Sequence, residues 1–535
     1  MAMADHGDTT REAPIPSPWV LVAMVLGSSI AFIDFTVVNV ALPALQRGLG
    51  ATVADAEWVV EAYALLLAAL ILAGGSLGDH YGRRRIYLLG VAGFAAASAG
   101  CGLAPSIGAL IAWRAVQGAA AALLVPGGLA ILAAVYPPDR RGRAIGTWSG
   151  ATSITTAMGP LAGGWLIDHA SWRWAFFLNL PLAAAVLLLT LRHVPESRDP
   201  DARRLDPVGV LLATLGLGGL TYGLTEAPRL GAAHPAVWGT LLAGAAALAG
   251  FLAVEARAHE PMMPLGLFRS RTFAGTNLLT FCLYGGLGGA LFFLPFNLIQ
   301  VQGYSATAAG ATFLPLSLLL FLLSGRAGAL ADRRGARLLL VAGPAIAAAG
   351  LALLALPGVG GSYWLSYLPA VTVLGLGMAA SVAPLTTAVM GAVEVSHAGL
   401  ASGINNAVSR VASLMAIAIL GLVVQLAFGI SFEHRLDRLA LPAAARTALA
   451  QQRDRMAAAT LPAGLDPRQT HAARAALDGA FVDAFRVAML CGAALALLAA
   501  ACAAITLGAP PSPSAAAAAA DPADPGTPGD RPPPA

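Results

Sequence analysis

The sequence predicts an all-α membrane protein made of two pseudo-symmetric six-helix bundles with two further helices inserted between them, fourteen transmembrane helices in all. Three observations lead there: the composition, an in-register internal repeat, and the number of apolar segments. Hydrophobic residues make up 57% of the chain and charged residues 11%, with a mean hydropathy of +0.72. Such a composition lies outside the range of soluble globular domains.

The repeat is carried by polar, glycine-rich runs that interrupt the apolar segments. Gly75-Ser76-Leu77-Gly78-Asp79-His80-Tyr81-Gly82-Arg83-Arg84-Arg85 returns as Gly328-Ala329-Leu330-Ala331-Asp332-Arg333-Arg334-Gly335, with Gly75, Asp79 and Gly82 each 253 residues before Gly328, Asp332 and Gly335. Gly146, Ser149 and Gly150 recur as Gly399, Ser402 and Gly403 at the same offset of 253. Two motifs keeping one spacing in both halves indicate a duplicated membrane bundle.

A hydrocarbon core about 30 Å thick needs roughly 20 apolar residues per helix. Fourteen segments meet that need: 19–43, 58–78, 86–104, 108–134, 144–167, 174–191, 207–225, 236–254, 273–300, 308–330, 337–356, 364–388, 399–429 and 484–508. Six helices with their loops span about 200 residues, so the larger repeat offset leaves room for one inserted pair, at 207–255. The expected order is an N-terminal segment 1–18, a first bundle 19–206, the inserted pair, helices nine to thirteen over 256–429, an outer loop 430–483, a last helix 484–508 and a Pro/Ala/Asp-rich tail 509–535. Low apolar content makes that tail an expected disordered segment. The outer loop is expected to form a small cap with short helices in 441–458. No cleavable apolar core precedes residue 19, so 19–43 is expected as a retained span.

All 32 basic residues other than histidine are arginine. About sixteen, from Arg83 to Arg337, fall in loops on one side against roughly three on the other, which places both termini in the cytoplasm of a cell with this chain in its inner membrane. Arginines in short loops between apolar spans give no support to nucleic-acid binding. Without lysine the chain cannot supply a G-x-x-x-x-G-K-[ST] nucleotide loop. Gly74-x-Ser76-x-Gly78 matches a hydrolase elbow by letters but closes an apolar helix with no strand before it. Cys101, Cys282, Cys491 and Cys502 all lie inside apolar segments, which argues against a disulfide framework. Neither a cofactor nor a metal is called for, and enzymatic chemistry is not expected.

Charges inside the spans need a reason, since a carboxylate at a helix centre costs about 2.5–3.5 kcal/mol. Asp34 lies in the outer half of the first span and Arg114 at a similar depth in the fourth. The two are read either as a proton- or cation-responsive site with its electrostatic partner, or as a static pair holding helices together. Glu61, near the outer end of the second span, is either a second carboxylate of an outer vestibule or an interfacial side chain reaching water. Arg410, deep in the thirteenth span, is a candidate to line a cavity or pair with a neighbour. Asn277, Asn297, Gln300, Asn405 and Asn406 suit either a polar path or glue between helices. Phe281, Tyr284, Phe292, Phe293 and Phe296 suit either an apolar pocket or core packing. In the Gly75 run, glycines allow a tight turn and Asp79 is expected to accept hydrogen bonds at a helix N-terminus, while Arg83 fixes the side.

The Gly75–Arg85 run followed by Arg114-Ala115-Val116-Gln117-Gly118 resembles the signatures of the major facilitator superfamily. Gly150 followed by Gly159-Pro160-Leu161-Ala162-Gly163-Gly164 resembles its antiporter helix. Asp34-Phe35-Thr36-Val37-Val38-Asn39-Val40-Ala41-Leu42-Pro43, with Trp172-Arg173-Trp174 and Phe177-Leu178-Asn179-Leu180-Pro181, is similar to the fourteen-span drug:proton antiporters of EmrB/QacA type. The resemblance covers roughly residues 19–410. It implies the major facilitator fold and proton-driven efflux of amphipathic, often cationic small molecules by alternating access, with the lipid bilayer, a small-molecule substrate and protons as partners and a single chain as the working unit. A dedicated exporter of an endogenous metabolite or antibiotic shares every motif; a non-transporting receptor or structural subunit is the alternative from another class.

Overall fold

A computed structural model describes residues 17–199, 206–231, 233–258, 261–360, 362–394 and 398–507. The expected N-terminal segment and C-terminal tail therefore lie almost wholly outside the described residues.

Among the described residues fourteen long helical spans follow one another: α1 (Pro18–Leu49), α2 (Val53–Tyr81), α3 (Arg83–Leu103), α4 (Ile107–Val135), α5 (Pro138–His169), α6 (Trp174–Phe177 and, past a turn at Leu178, Asn179–His193), α7 (Pro207–Leu230) and α8 (Pro235–Glu255). Then come α9 (Arg271–Phe296, ending in a π turn Asn297–Val301), α10 (Ala306–Ala311 and, after a break, Leu314–Arg334), α11 (Arg337–Leu354), α12 (Tyr363–Gly391), α13 (Ala398–Asp437) and α14 (Pro467–Thr506). Among the described residues thirteen spans are long and apolar enough to cross a membrane. The fourteenth, α5, has its apolar content diluted by glycine, serine and threonine.

The starts are set by local chemistry. Proline occupies the first turn of α1, where its missing N–H costs nothing. Thr52 and Asp55 bond each other reciprocally at the start of α2, with Asp55 N–H donating to Thr52 Oγ1 at 3.1 Å and Thr52 N–H to Asp55 Oδ2 at 2.9 Å. Asp466 and Gln469 repeat that device at α14.

The halves show the same neighbour pattern. In the first, α1 packs on α5 and α6, α4 on α2 and α3, and α3 on α6; in the second, α9 packs on α13 and α14, α12 on α10 and α11, and α11 on α14. The repeat extends to the backbone. Gly82 ends α2 at φ 110° and Gly335, its counterpart, ends α10 at φ 82°, both in the region that glycine alone enters freely.

At Gly82 a second constraint is added. A Cβ there would stand 2.8 Å from the carboxyl carbon of Glu196, whose oxygens accept hydrogen bonds from the backbone N–H groups of Arg84 at 3.0 Å and Arg85 at 3.2 Å. The anion at the N-terminus of α3 is thus Glu196, from the segment after α6, and not Asp79 as expected. Asp79 sits on the last turn of α2 and bonds Arg83 across the turn at 2.8 Å instead. Gly82→Ala is expected to cost about 1–3 kcal/mol through backbone strain and displacement of Glu196; thermal unfolding in detergent measures it, and an unchanged midpoint would refute the account.

The inserted pair, α7 and α8, pack on each other, and α7 also lies against α2 and α13. Residues expected as the outer loop 430–483 are largely helical. At about 1.5 Å per residue the 40 residues of α13 and of α14 each exceed a bilayer, so their ends stand out on the face away from the Arg83 and Arg333 loops. Those ends cohere through Arg435 Nη2–Asp483 Oδ2 at 2.7 Å. Between them a short helix, Ala443–Ala450, and a 3-10 turn, Arg453–Ala458, form the cap.

Candidate functional site

Asp34 is fully buried, and five of the first six helices close around it. Arg114 Nη1 donates to its Oδ2 at 2.6 Å, while Gln117 Nε2 at 2.9 Å and Asn179 Nδ2 at 2.8 Å both donate to its Oδ1. Arg114, also fully buried, gives a second bond to Gln117 Oε1 at 2.6 Å and a third, through Nε, to the Val59 carbonyl at 2.9 Å. Its guanidinium lies 4.3 Å from the centre of the Tyr63 ring. Ser98 completes the set, accepting from Gln117 at 2.7 Å and Asn179 at 3.1 Å. A buried ion pair survives only with its remaining lone pairs and protons bonded, and this one is so furnished.

The expected partnership of Asp34 and Arg114 is therefore seen as a contact. Gln117, Asn179 and Ser98 were not singled out as its partners. The available signal was their polarity inside apolar spans; nothing local to each residue says which helix it faces.

The two halves meet on the face that carries the cap; toward the arginine-rich face the Cβ positions of Gly146, Gly150 and Gly399 meet nothing within 4 Å, so that side is the more open. At the meeting side α5 lies against α10: a Cβ on Gly164 would stand 2.3 Å from the Ala306 carbonyl oxygen, and one on Gly310 2.0 Å from that of Pro160. Asp168, at the end of α5, accepts from the N–H groups of Ala306 at 2.9 Å and Thr307 at 2.8 Å, and from the Thr307 hydroxyl at 2.6 Å. Sequence reading missed that clasp. Gly159 and Gly163 instead serve packing within the first half, against Thr36 and Val37 of α1. Gly150, at the start of that run, does not share this packing: nothing lies within 4 Å of its Cβ position, so it faces open space.

The open side has a recess of about 90 Å³ lined by Tyr284, Val382, Leu385, Thr386, Val389, Ser402, Asn405, Asn406 and Ser409. Small-molecule sites usually measure about 300–1,000 Å³, so this recess alone is smaller than such a site. Arg410 is half-buried near Tyr63 and Tyr284; among the described residues it pairs with no carboxylate.

The other candidates divide. Asn405 donates to Asn277 Oδ1 at 3.1 Å and Thr280 Oγ1 at 2.7 Å, and Asn297 to the Tyr367 hydroxyl at 3.1 Å, so these asparagines join helices within one half. Asn406 is exposed in the recess. Gln300 donates to Gln46 Oε1 at 2.8 Å across the two halves. Phe292, Phe293 and Phe296 are buried core, Phe281 is exposed, and Tyr284 alone of that group lines the recess. Glu61 does not reach water as an interfacial side chain would: it is fully buried, with Thr225 Oγ1 donating to its Oε2 at 3.0 Å. The inserted α7, which no local signal in α2 announces, covers it. Gly75 and Gly328 are in ordinary contact with Pro126 and Ala383, and the Asp332 side chain falls outside the described residues.

Known proteins share this fold and family. The chain is 34% identical over 527 residues to the tetracenomycin C resistance and export protein of Streptomyces glaucescens, covering 96% of this chain and 97% of that one. It is 37% identical over 420 residues to the multidrug resistance protein Stp of Mycobacterium tuberculosis (strain CDC 1551 / Oshkosh), 78% of each chain. Among solved structures, a bacterial homologue of the human lysosomal transporter Spinster, inward-facing and occupied, superposes with a TM-score of 0.62 at 17% identity, over 91% of this chain and 96% of that one, a likeness of fold. The model of the Major Facilitator Superfamily matches residues 24–417. This multi-pass membrane chain belongs to the Major Facilitator Superfamily: it is a transporter, not an enzyme.

Proposed function

We propose that the chain exports amphipathic small molecules, drugs or antibiotics among them, from the cytoplasm in exchange for protons, by alternating access from an inner membrane with both termini cytoplasmic. The observation that carries this reading is the clasp on the cap side: duplicated halves sealed at α5–α10, with Gly146, Gly150 and Gly399 facing open space toward the arginine-rich side, which is the cytoplasmic side by loop charge. Resistance and export proteins among the relatives support the substrate class. Asn406, Ser409 and Tyr284 line the recess and offer hydrogen-bonding groups to an entering molecule. Lacking a nucleotide loop, the chain draws on an ion gradient; roughly 100 mV supplies about 2.3 kcal/mol per charge.

In this reading Asp34 takes up a proton when Arg114 swings away during the cycle. Dye accumulation in inverted vesicles is expected to collapse on adding a protonophore, and Asp34→Asn to lower uphill accumulation at least about tenfold, in the range of one lost proton-coupling group. Accumulation indifferent to the protonophore would remove proton coupling, and full activity of Asp34→Asn would remove the role of Asp34.

A further inference from the structure

Efflux as argued so far leaves a second group of buried carboxyls unused, at the seam where α2 of the first half meets α13 of the second. Glu57 is fully buried, and neither carboxyl oxygen has a hydrogen-bond partner. Gly421 of α13 rests on it; a Cβ there would stand 2.3 Å from Oε1. One turn along α2, Glu61 Oε1 is also without a donor. The surrounding charges are spoken for. On α7, Glu226 accepts from Trp58 Nε1 at 3.1 Å and from Arg229 Nε at 2.6 Å. On α4, Arg114 is turned to Asp34 and the Val59 carbonyl. The cap's Arg455 bonds the Gly50 carbonyl. From α13 the nearest polar group is the uncharged Gln425, whose amide nitrogen faces Glu57 without closing a bond.

The repeat sharpens the contrast. Glu57 stands 253 residues before Gly310 and Asp168 the same distance before Gly421, so the α2–α13 and α5–α10 seams are equivalent places in the two halves. At α5–α10 a glycine lets backbones touch and the carboxylate is satisfied by three donors. At α2–α13 the carboxyl sits where the glycine would be, facing glycine, with no closed hydrogen bond and no cation.

We propose that Glu57, with Glu61 beside it, is a proton-binding site of the outer seam, which closes only when Glu57 carries a proton. Sealing an ionised carboxylate there, without donor or cation, is unfavourable; a protonated one is uncharged and can donate to Glu61 or Gln425. When the halves part on this face Gly421 withdraws, outer water reaches the group, and it ionises. One proton is taken from the outer solution on closing and returned on opening, and no other bond changes. The proposal rests on the alternating-access part of the reading above and not on the identity of any exported compound.

The test uses the full chain in proteoliposomes, with spin labels at the outer ends of α2 and α13 and no transported compound. The closed-to-open ratio is expected to fall as outer pH rises, approaching tenfold per pH unit for one linked proton. Glu57→Gln, which keeps the shape and carries no charge, is expected to stay closed across the range with that slope abolished. A pH-independent wild type, or an unchanged slope in Glu57→Gln, overturns the proposal. Should that variant fail to fold, the wild-type infrared spectrum decides: the closed state at neutral pH must show a carboxylic-acid C=O band, and its absence overturns the assignment. Protonophore-insensitive efflux would sink the functional reading while leaving both readouts intact.

Discussion

Replacing Arg114 by methionine is expected to lower stability by about 3–5 kcal/mol, the cost of leaving a buried charge without its partner. The expectation follows from the enclosure of Asp34. With the guanidinium gone, Gln117 and Asn179 still serve Oδ1, but Oδ2 loses its one donor among the described residues, and no water can take its place. Arg114 also joins α4 to the α2 backbone at Val59 and stacks on Tyr63, so the loss spreads to the α2–α4 contact. The double variant Asp34→Asn/Arg114→Met removes both charges and is expected to regain much of the loss. A double-mutant cycle of unfolding in detergent measures the coupling. Arg114→Met within about 1 kcal/mol of wild type, the scale of an exposed pair, would show that the contact is not what holds α1 and α4 together.

Gly164→Leu should have an equally large effect on the working cycle with little on folding. The glycine meets the Ala306 carbonyl of the opposite half, backbone against backbone, where nothing flexible can yield. Overpacking such a contact costs about 1–3 kcal/mol, enough to shift closure by about five- to 150-fold. Because the clash lies between the halves and not inside either, each bundle is expected to form normally. The variant is therefore expected at wild-type level in the membrane, with its cap-side face open and uphill efflux lost. Accessibility of a cysteine placed at the α5–α10 contact measures the opening; protection equal to wild type would contradict the described seam.

The sequence carried the architecture because duplication and apolar spans are linear signals. The 253-residue offset that pairs Gly82 with Gly335 in the letters pairs them again as glycines of positive φ ending α2 and α10. Asp34 and Arg114 were legible since a charge inside an apolar run demands a partner and only a few stand at matching depth. Glu196 and Asp168 were not, because each acts on backbone N–H groups more than 100 residues away in the chain, and an N–H recipient leaves no mark in the sequence. Of the two readings of Glu61, the interfacial one does not fit its burial, for a related reason: depth along a helix says nothing of what covers it from the side, and its cover is the inserted α7. The long projecting ends of α13 and α14 were hidden by their charge, which reads as loop until Arg435 is seen against Asp483.

The cap bears on the rate of the cycle. Gln46 Nε2 donates to the Arg455 carbonyl at 3.3 Å, Arg455 Nη2 to the Gly50 carbonyl at 3.2 Å, Arg474 Nη1 to the Ala457 carbonyl at 3.1 Å, and Arg474 Nη2 to the Gln300 carbonyl at 2.7 Å. Between them Met456 is buried at φ 49°, a conformation that a residue with a side chain adopts only when its surroundings impose it. Every acceptor in this set is a main-chain oxygen, so many sequences can draw the bolt as long as the arginines remain. In the alternating-access cycle proposed above, each export event has to undo it. Changes there should set how often the transporter turns over while leaving untouched which molecules it carries.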